Sequence, residues 1–447
     1  MEVPLYVNDA FLAHYHKPAR ARLRGLVRNP SIPARLLRRL VDQYFNEVKY
    51  HMGARPEWSD TQFDVLADHP DAGVREQLAG ALHVPPERRA RLVEDESVKV
   101  LYALANGPDL FALRITPCPP ALPAWAYDRL IERYPDLRED IVRNWRVPTD
   151  VRDRLAPSGK TGPPTPEWQP HDRGEAVALA GSDDAWTRAT AAADPGLPAE
   201  LVARLAADPS PDVRLAVSMR PELTEEERAA IDYRVAPEDR IAPARWATVT
   251  RDPREQRRCA YSAHIGLRRS VAYNPSLSPD LVAVLANDDD FAVRLLLCEN
   301  HAGVPAATVL ATFLEARTLT RGRLLGHPAF PRSGLAGLAD SPDHRARCLA
   351  VLDPEAPPEL IERLSHDPHP HVRASTAADR RLSPSRVLDL FDDPRTTEEA
   401  TANPHLPVPI MERVLADAAT LADERVEGTP AVYLGNWKPD QPPPAGG

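Results

Sequence analysis

The stretch ADPSPDVRLAVSMRPELT, residues 207–224, decides the fold of this chain. It places a charged residue, Arg214, inside an apolar run that ends at Pro221. A charge on a core-facing segment needs a partner or a special function. Whether Arg214 is an isolated functional residue therefore depends on whether its surroundings recur along the chain.

The same order of Asp, Val-Arg, a small apolar run and Pro does recur. Copies include SDDAWTRATAAADPGLP, IGLRRSVAYNPSLSP and PHPHVRASTAADRRLSP. From residue 188 to residue 373 the arginines are 26 or 27 residues apart, with one interval of 54. With a weaker copy near residue 75, the arginines are Arg75, Arg188, Arg214, Arg268, Arg294, Arg321, Arg347 and Arg373. A fixed period of this length is typical of a repeat architecture.

Each repeat predicts two helical pieces. Pro suits the first position of a helix and Ser its N-cap, so both mark helix starts. These predicted starts are Pro198, Ser278, Pro331, Pro357, Ser383 and Pro407. The Val-Arg segment is short, so it predicts one or two turns of α or 3-10 helix. One unit cannot bury its apolar face alone, so we predict an all-α α-solenoid of repeats of about 24–27 residues.

An arginine that recurs in every unit stacks over its own copies. We expect a structural ladder in which each guanidinium bonds to aspartates or backbone carbonyls of adjacent units. A stripe of ligand-binding arginines is the alternative. The ladder predicts that Arg294→Ala destabilises the array by about 1–3 kcal/mol, because its partners lose their bonds. An unchanged melting midpoint would favour the exposed stripe.

The units LAADPSPDVRLAVSMRPEL and LSHDPHPHVRASTAADRRL resemble the leucine-rich repeat variant (LRV) family of bacteria, and less closely HEAT repeats. The resemblance covers residues 173–420 well and 60–110 moderately. It implies a solenoid that alternates α-helices with 3-10 helices. The family's N-terminal iron–sulfur cysteine cluster is not carried over, because the first cysteine of this chain is Cys118.

Changes in composition predict four segments. Residues 1–156 form an N-terminal helical region with degenerate repeats, and residues 157–172 a linker or loop rich in Pro and Gly. The main array is predicted over 173–423. Residues 424–447 end in Pro and Gly and predict a disordered tail.

The bulk composition narrows the function classes. The net charge of −10 argues against nucleic-acid binding as the default. The four cysteines are far apart, so zinc and iron–sulfur spacings are absent and no cofactor is predicted. The chain begins without a signal-peptide pattern and has no apolar run of about eighteen residues. We therefore expect a cytoplasmic protein with no membrane contact.

Three motifs could indicate a ligand-binding or metal-binding site, and each has a simpler structural explanation. GKT at 159–161 lacks the glycine of a phosphate loop, because Arg154 stands five positions earlier. His366, His369 and His371 suggest a metal, but they fall in an inter-helix loop whose other copies are polar. The acidic run at 288–290 fits a helix-capping loop. We predict no catalytic, cofactor-binding or metal-binding residues.

The leading functional hypothesis is a non-enzymatic repeat scaffold that binds a protein partner along the solenoid surface. The alternative is a HEAT-like solenoid that binds nucleic acid through a basic face. A third hypothesis is an enzyme whose site lies in the divergent segments 112–156 or 225–260. It is supported only by Trp125, Trp145 and Trp246, which also suit a core.

Overall fold

The computed structural model describes residues 18–108, 121–144, 147–156, 173–236, 239–317 and 319–419. Within these ranges every regular element is an α-helix or a 3-10 helix, which confirms the all-α class. Successive helices pack against their neighbours along the chain, as expected of a solenoid. The GKT motif and the segments 157–172 and 424–447 lie outside the described residues, so the predicted domain boundaries stay predictions.

The described helices before and after residues 157–172 are called the N-terminal lobe and the C-terminal lobe. The N-terminal lobe, residues 18–156, contains α1 (Pro18–Arg28), α2 (Ala34–Met52), α3 (Asp60–Ala67), α4 (Ala72–Ala79), α5 (Pro86–Arg89), η1 (Ala90–Glu94), α6 (Val98–Asn106), α7 (Ala124–Arg133), α8 (Leu137–Arg143) and α9 (Thr149–Leu155).

The C-terminal lobe, residues 173–419, continues the numbering. It contains α10 (Arg173–Ala180), α11 (Ala185–Ala192), α12 (Ala199–Leu205), α13 (Pro211–Ser218), α14 (Glu225–Ala229), α15 (Arg245–Val249), α16 (Pro253–Ala260), α17 (Ile265–Val271), α18 (Pro279–Leu285), α19 (Phe291–Asn300), α20 (Ala306–Glu315), η2 (Leu319–Gly326), η3 (Leu335–Leu338), α21 (His344–Val351), α22 (Pro358–Ser365), α23 (Pro370–Ala377), α24 (Pro384–Asp392), α25 (Thr397–Thr401) and α26 (Val408–Ala419).

Each repeat contributes one helix to each of two rows. The arginine row consists of the helices that carry a recurring arginine, such as α13, α21 and α23, and their equivalents. The proline row consists of the helices that begin after a turn, such as α18 after Ser278, α22 after Pro357 and α24 after Ser383. These starts lie where the Pro and Ser pattern predicts them.

The start predicted at Pro331 is different. The chain there forms only the 3-10 helix η3, which begins at Leu335 after Gly334. Gly334 has a φ of 77°, a left-handed conformation that an α-helix start does not use. Gly337 weakens a helix further, so this unit has no full proline-row α-helix.

The arginine row does not end at the C-terminus of the described chain. Helix α25 packs on α1, and the row then passes through α2, α4, α6 and α8. One apolar core crosses this joint, with Leu26 and Leu37 on one side and Leu406 and Met411 on the other. The N-terminal lobe therefore stacks on the C-terminal lobe as the next units of the same array.

The covalent chain requires this array to curve. Packed helices lie about 8–10 Å apart, so a straight arginine row from α11 to α8 would be more than about 100 Å long. The seventeen residue steps from Ala156 to Arg173 span at most about 60 Å. The two outer ends of the array must therefore bend toward each other.

Candidate functional site at the lobe junction

Seven of the eight recurring arginines bind the loop that precedes their own helix. In each, Nη1 donates to the carbonyl oxygen six residues earlier, as from Arg188 to Ser182 at 3.0 Å and from Arg347 to Ser341 at 2.8 Å. These carbonyls belong to the same unit, whereas the sequence suggested adjacent units. The seven are Arg75, Arg188, Arg214, Arg268, Arg294, Arg347 and Arg373.

The other side of the guanidinium reaches the next unit. Arg347 Nε donates to Asp367 Oδ2 at 2.7 Å and Nη2 to Oδ1 at 2.9 Å. The carbonyl of Asp367 then accepts from Arg373 Nη1 at 3.0 Å, so one aspartate joins two arginines. Two-bond aspartate pairs also join Arg75 to Asp95, Arg188 to Asp208 and Arg268 to Asp288.

These bonds stabilise the charged forms of both partners. The hydrogen bond from Arg188 lowers the pKa of Asp208, and the bond from Arg347 lowers that of Asp367. The pKa values of Arg188 and Arg347 are raised by the same bonds. These guanidinium groups are engaged inside the array and do not form a free cationic stripe.

Two arginines find substitutes for the aspartate. No carboxylate stands twenty residues after either Arg214 or Arg294. Arg214 Nε instead donates to the backbone carbonyl of Asp232 at 2.6 Å. Arg294 pairs with Glu315, which is half exposed. The ladder is therefore weaker at these two rungs.

Arg321 departs from the ladder. Its guanidinium lies over the ring of Phe313, 5.1 Å from the centroid, and burial lowers its pKa. The residue twenty positions later is Ser341, which offers no carboxylate. Its segment is the 3-10 helix η2, not an α-helix. Arg321 thus makes a cation–π contact with Phe313 where the other ladder arginines pair with an acidic residue of the next unit.

A second set of side chains joins the arginine-row helices at their C-terminal ends. Asn403 Nδ2 donates to the carbonyls of Ala377 and Asp379, at 2.9 and 2.8 Å. Asn274 does the same to the carbonyls of Ala247 and Thr250. Such bonds satisfy carbonyls that a helix end leaves without partners.

Asn29 repeats this arrangement across the lobe junction. Its Nδ2 donates to the carbonyls of Thr401 and Asn403, at 2.8 and 2.6 Å. Asn29 and Asn403 are both fully buried. The junction therefore uses the same joint as the interior of the C-terminal lobe, although the two partners are some 370 residues apart in sequence.

Helix α1 approaches α25 closely because of Gly25. A Cβ built at this position would overlap the carbonyl oxygen of Glu398 and lie 2.8 Å from Thr401 Cβ. Glycine in a helix interior costs about 1 kcal/mol relative to alanine. Its presence here is explained by the approach of the two backbones.

Charged groups surround this contact. Arg24 donates to Glu398 at 2.9 Å and Arg28 at 3.2 Å, so one carboxylate joins two arginines of α1. The neighbouring Glu399 has a raised pKa because it is buried, and burial lowers the pKa of His51. The junction thus combines a buried amide joint with a network of ion pairs.

A cleft of about 550 Å³ opens beside this joint. Both lobes line it. The N-terminal lobe contributes Arg28, Pro30, Ala54 and Pro56, and the C-terminal lobe contributes Pro354, Ala378, Asp379, Arg380, Arg381, Ala402 and Pro404. Most of these residues are Ala or Pro from the turns after successive arginine-row helices, so the cleft follows the stacking direction.

Arg380 reaches across this cleft to Glu57 of the other lobe, and both side chains are exposed. The turns at Asn403 and Asn29 lie between their two units in the stack. An Arg–Glu pair can span three stacking steps only where the turns converge. This edge is therefore the inner side of the curve that the covalent chain requires.

The other cations at the cleft are more firmly held. Arg381 bonds to Asp379 and to the carbonyls of Asp353 and Ala356. Arg28 donates a hydrogen bond to Glu398 where α1 packs on α25. Arg380 is consequently the arginine most available to a ligand.

The histidines noted in the sequence stack and do not converge. His369 lies against His344 of the preceding unit, with ring centroids 3.7 Å apart, and His371 is 5.3 Å from His369. His366 lies near Glu362, at 3.7 Å. In the described part of the chain, no three His, Cys, Asp or Glu side chains are placed to hold a metal ion.

Two polar residues that the sequence did not single out flank the divergent segment 225–260 and bond to each other. Ser218 Oγ and His264 Nε2 are 2.8 Å apart, and both residues are buried. Because Ser218 donates to the carbonyl of Leu215, the imidazole donates to the hydroxyl. Burial lowers the pKa of His264 to about 4. The pair joins α13 to the start of α17, and its burial leaves a substrate no path to the hydroxyl.

The tryptophans of the divergent segments have separate placements. Trp246 Nε1 donates to the carbonyl of Met219 at 2.9 Å, which ties α15 to the end of α13. Trp125 is exposed on α7, and Trp145 lies outside the described residues. Trp125 and Trp246 therefore lie in different helices and make separate contacts.

The closure of the two lobes had a signal in the sequence. NPSIP at 29–33 matches NPHLP at 403–407 and NPSLS at 274–278. The shared Asn is the residue that makes the buried joint. The match marks residues 18–33 as a repeat unit, although it does not say which unit they contact.

Comparisons with known proteins add no information about these structural features. No protein-family model matches the chain, and no curated protein is similar to it in sequence. No helix within the described ranges has both the length and the apolar character that a membrane crossing requires.

Proposed function

We propose that this chain is a non-enzymatic repeat scaffold that binds a protein partner at the cleft of the lobe junction. The observation that carries the proposal is the cleft itself, about 550 Å³ and lined by both lobes. Its volume is in the range of ligand sites in proteins, about 300–1,000 Å³. Extended concave surfaces are what solenoids use to bind partners.

The arginine contacts support a protein partner over nucleic acid. Nucleic-acid affinity depends on free cations that neutralise phosphates. Most ladder arginines already bond to carboxylates of the array, as Arg188 does to Asp208. The net charge of −10 adds repulsion. The nucleic-acid alternative therefore has the weaker support.

The remaining parts of the proposal rest on the sequence. We assign the chain to the HEAT-like repeats of the bacterial LRV family on its Val-Arg and proline units. We also propose a cytoplasmic location, because the four cysteines are far apart in sequence and suggest no disulfide framework.

Site-specific photo-crosslinking in the native cell tests the proposal. A benzophenone amino acid is placed at Ala54 or Ala378, which are exposed cleft positions on the two lobes. Arg413, on the outer helix α26 and 76% exposed in its side chain, is the control. We expect the same protein adduct from both cleft positions and not from Arg413. Adducts equally strong at all three positions, or at none, would contradict the proposal.

A further inference from the structure

We propose that the cleft recognises an extended acidic peptide segment, one of whose carboxylates replaces Glu57 on Arg380. This inference rests on the proposed function and names the chemistry of its partner. It concerns a site whose two halves come from the two ends of the chain.

The shape of the cleft indicates an extended ligand. Its lining comes from turns of successive units, at Pro354, Ala378, Pro404, Pro30 and Pro56. These turns follow one another along the stacking direction, so a ligand that fills the cleft must run across several units. Their side chains are small or cyclic, which leaves room for a backbone to lie close to the turns.

The charges at the cleft indicate a carboxylate. The Arg380 side chain is 65% exposed, and its bound partner Glu57 is 57% exposed. Such an exposed pair is weak, because water solvates both charges and both long side chains lose freedom when they pair. A ligand carboxylate can therefore displace Glu57 at small cost. Arginine binds carboxylates through two parallel hydrogen bonds, which fixes the orientation of the group.

The same surroundings disfavour a polyanion. Asp379 lines the cleft, and Glu398 and Glu57 lie beside its arginines. A nucleic acid carries a phosphate at every step, so several phosphates would face these carboxylates. An acidic peptide can place a carboxylate at Arg380 alone and neutral residues elsewhere.

Fluorescence anisotropy on the full-length chain tests the proposal. The probe, called the Glu-Pro probe, is a labelled octapeptide of alternating Gln and Pro in which one central Gln is replaced by Glu, and its prolines favour an extended backbone. Its neutral counterpart alternates Gln and Pro, and a labelled twelve-nucleotide oligothymidine is the nucleic-acid probe. All three are titrated in low salt, and circular dichroism verifies the fold of every variant.

Glu57→Gln should tighten the affinity for the Glu-Pro probe by two- to five-fold, because the competing carboxylate is gone. Arg380→Gln should weaken it about tenfold. Glu412→Gln is the matched control, since Glu412 pairs with Arg35 in another exposed ion pair between the lobes, outside the cleft. It should leave the affinity unchanged.

Several results would overturn the proposal. They are equal binding of the Glu and Gln probes, no effect of Glu57→Gln, tighter binding of the oligothymidine, or no binding of the Glu-Pro probe. Crosslinked adducts from Ala54 and Ala378 together with any of these results would refute the acidic-peptide inference alone. Absence of those adducts would refute the proposed function as well.

Discussion

Two contacts between neighbouring units of the arginine row are made by the same arrangement of a buried asparagine. The units of one contact are consecutive in sequence, whereas those of the other come from the two lobes. In the interior joint, Asn403 of the unit containing α25 bonds to two carbonyls at the end of α23. At the junction, Asn29 bonds in the same way to the end of α25. The surface that stacks one unit on the next is thus a property of the unit. Chain connection is not required for it.

The joints differ in what surrounds the asparagine. The interior joint has a ladder arginine, Arg373, bonded to Asp393. The junction has no ladder arginine and relies on the close approach at Gly25 and on the ion pairs of Glu398. Four predictions test this comparison.

Gly25→Ala should have the largest effect. Alanine normally favours a helix by about 1 kcal/mol over glycine, but here its Cβ would overlap the Glu398 carbonyl. We expect a loss of more than about 3 kcal/mol, at or beyond the upper end of overpacking costs. Urea unfolding followed by circular dichroism measures it.

The matched control for that change is Gly53→Ala. Gly53 has helical backbone angles and nothing near its Cβ position. It should be neutral or stabilising by up to about 1 kcal/mol. Equal effects of the two substitutions would mean that α1 does not pack on α25 in solution.

Arg347→Ala should destabilise the array by about 3 kcal/mol, because the carboxylate of Asp367 is 6% exposed and would lose its partner. Arg294→Ala should cost less, about 1 kcal/mol, because Glu315 is half exposed. Thermal unfolding of both variants measures the difference. Equal losses at the two positions would show that the loop carbonyls, which both arginines bind, govern the ladder and the carboxylates do not.

Asn29→Ala and Asn403→Ala should have nearly equal effects, about 2 kcal/mol each, because each removes two buried hydrogen bonds to helix-end carbonyls. Chemical denaturation of the two variants provides the comparison. A neutral Asn29→Ala beside a destabilising Asn403→Ala would mean that the junction opens in solution while the interior joint stays closed.

Protonation of His264, which bonds to Ser218, should have the smallest effect on stability of the four. It is also the one of the four that depends on pH in the mildly acidic range. The folded pKa of His264 is about 4, below the ordinary value of 6.5. Between these values the unfolded chain binds a proton that the folded chain does not, so stability falls as pH decreases. We expect a loss of about 1–2 kcal/mol between pH 6.5 and 5.

His264→Gln should reduce that slope, which urea unfolding at a series of pH values would detect. His51, His301 and His327, whose pKa values burial also lowers, should keep part of it. Loss of stability below about pH 4 should remain in the variant. It arises from Asp208 and Asp367, whose lowered pKa values mean that their contribution is present above 3.8 and lost as pH falls further. An unchanged slope from pH 6.5 to 5 would contradict the buried neutral imidazole.

Local features of this chain could be predicted from the sequence because they depend on short spacings. The helix starts at Ser278, Pro357 and Ser383 follow from which residues accept the first positions of a helix. The absence of an α-helix after Pro331 also has a local cause, since Gly334 and Gly337 stand in the segment that would have to become helical. A close reading of those glycines predicts it.

The partners of the arginines were only partly predictable. The spacing of twenty residues from Arg347 to Asp367 recurs from Arg188 to Asp208, so that pairing is present in the sequence. The stacking of Arg321 on Phe313 is not, because no period relates the two residues. Pair contacts outside the repeat require the coordinates.

The repeat, the all-helical class and the row of recurring arginines could be inferred from the residues alone, because a periodic pattern repeats one local structure. The packing of α1 on α25, the contact of Arg380 with Glu57 and the cleft beside them could be seen only in the folded chain. The physical reason is that every unit has a similar stacking surface, so the pattern permits many neighbours. Curvature of the array, the length of the 157–172 connection and the backbone contact at Gly25 select one.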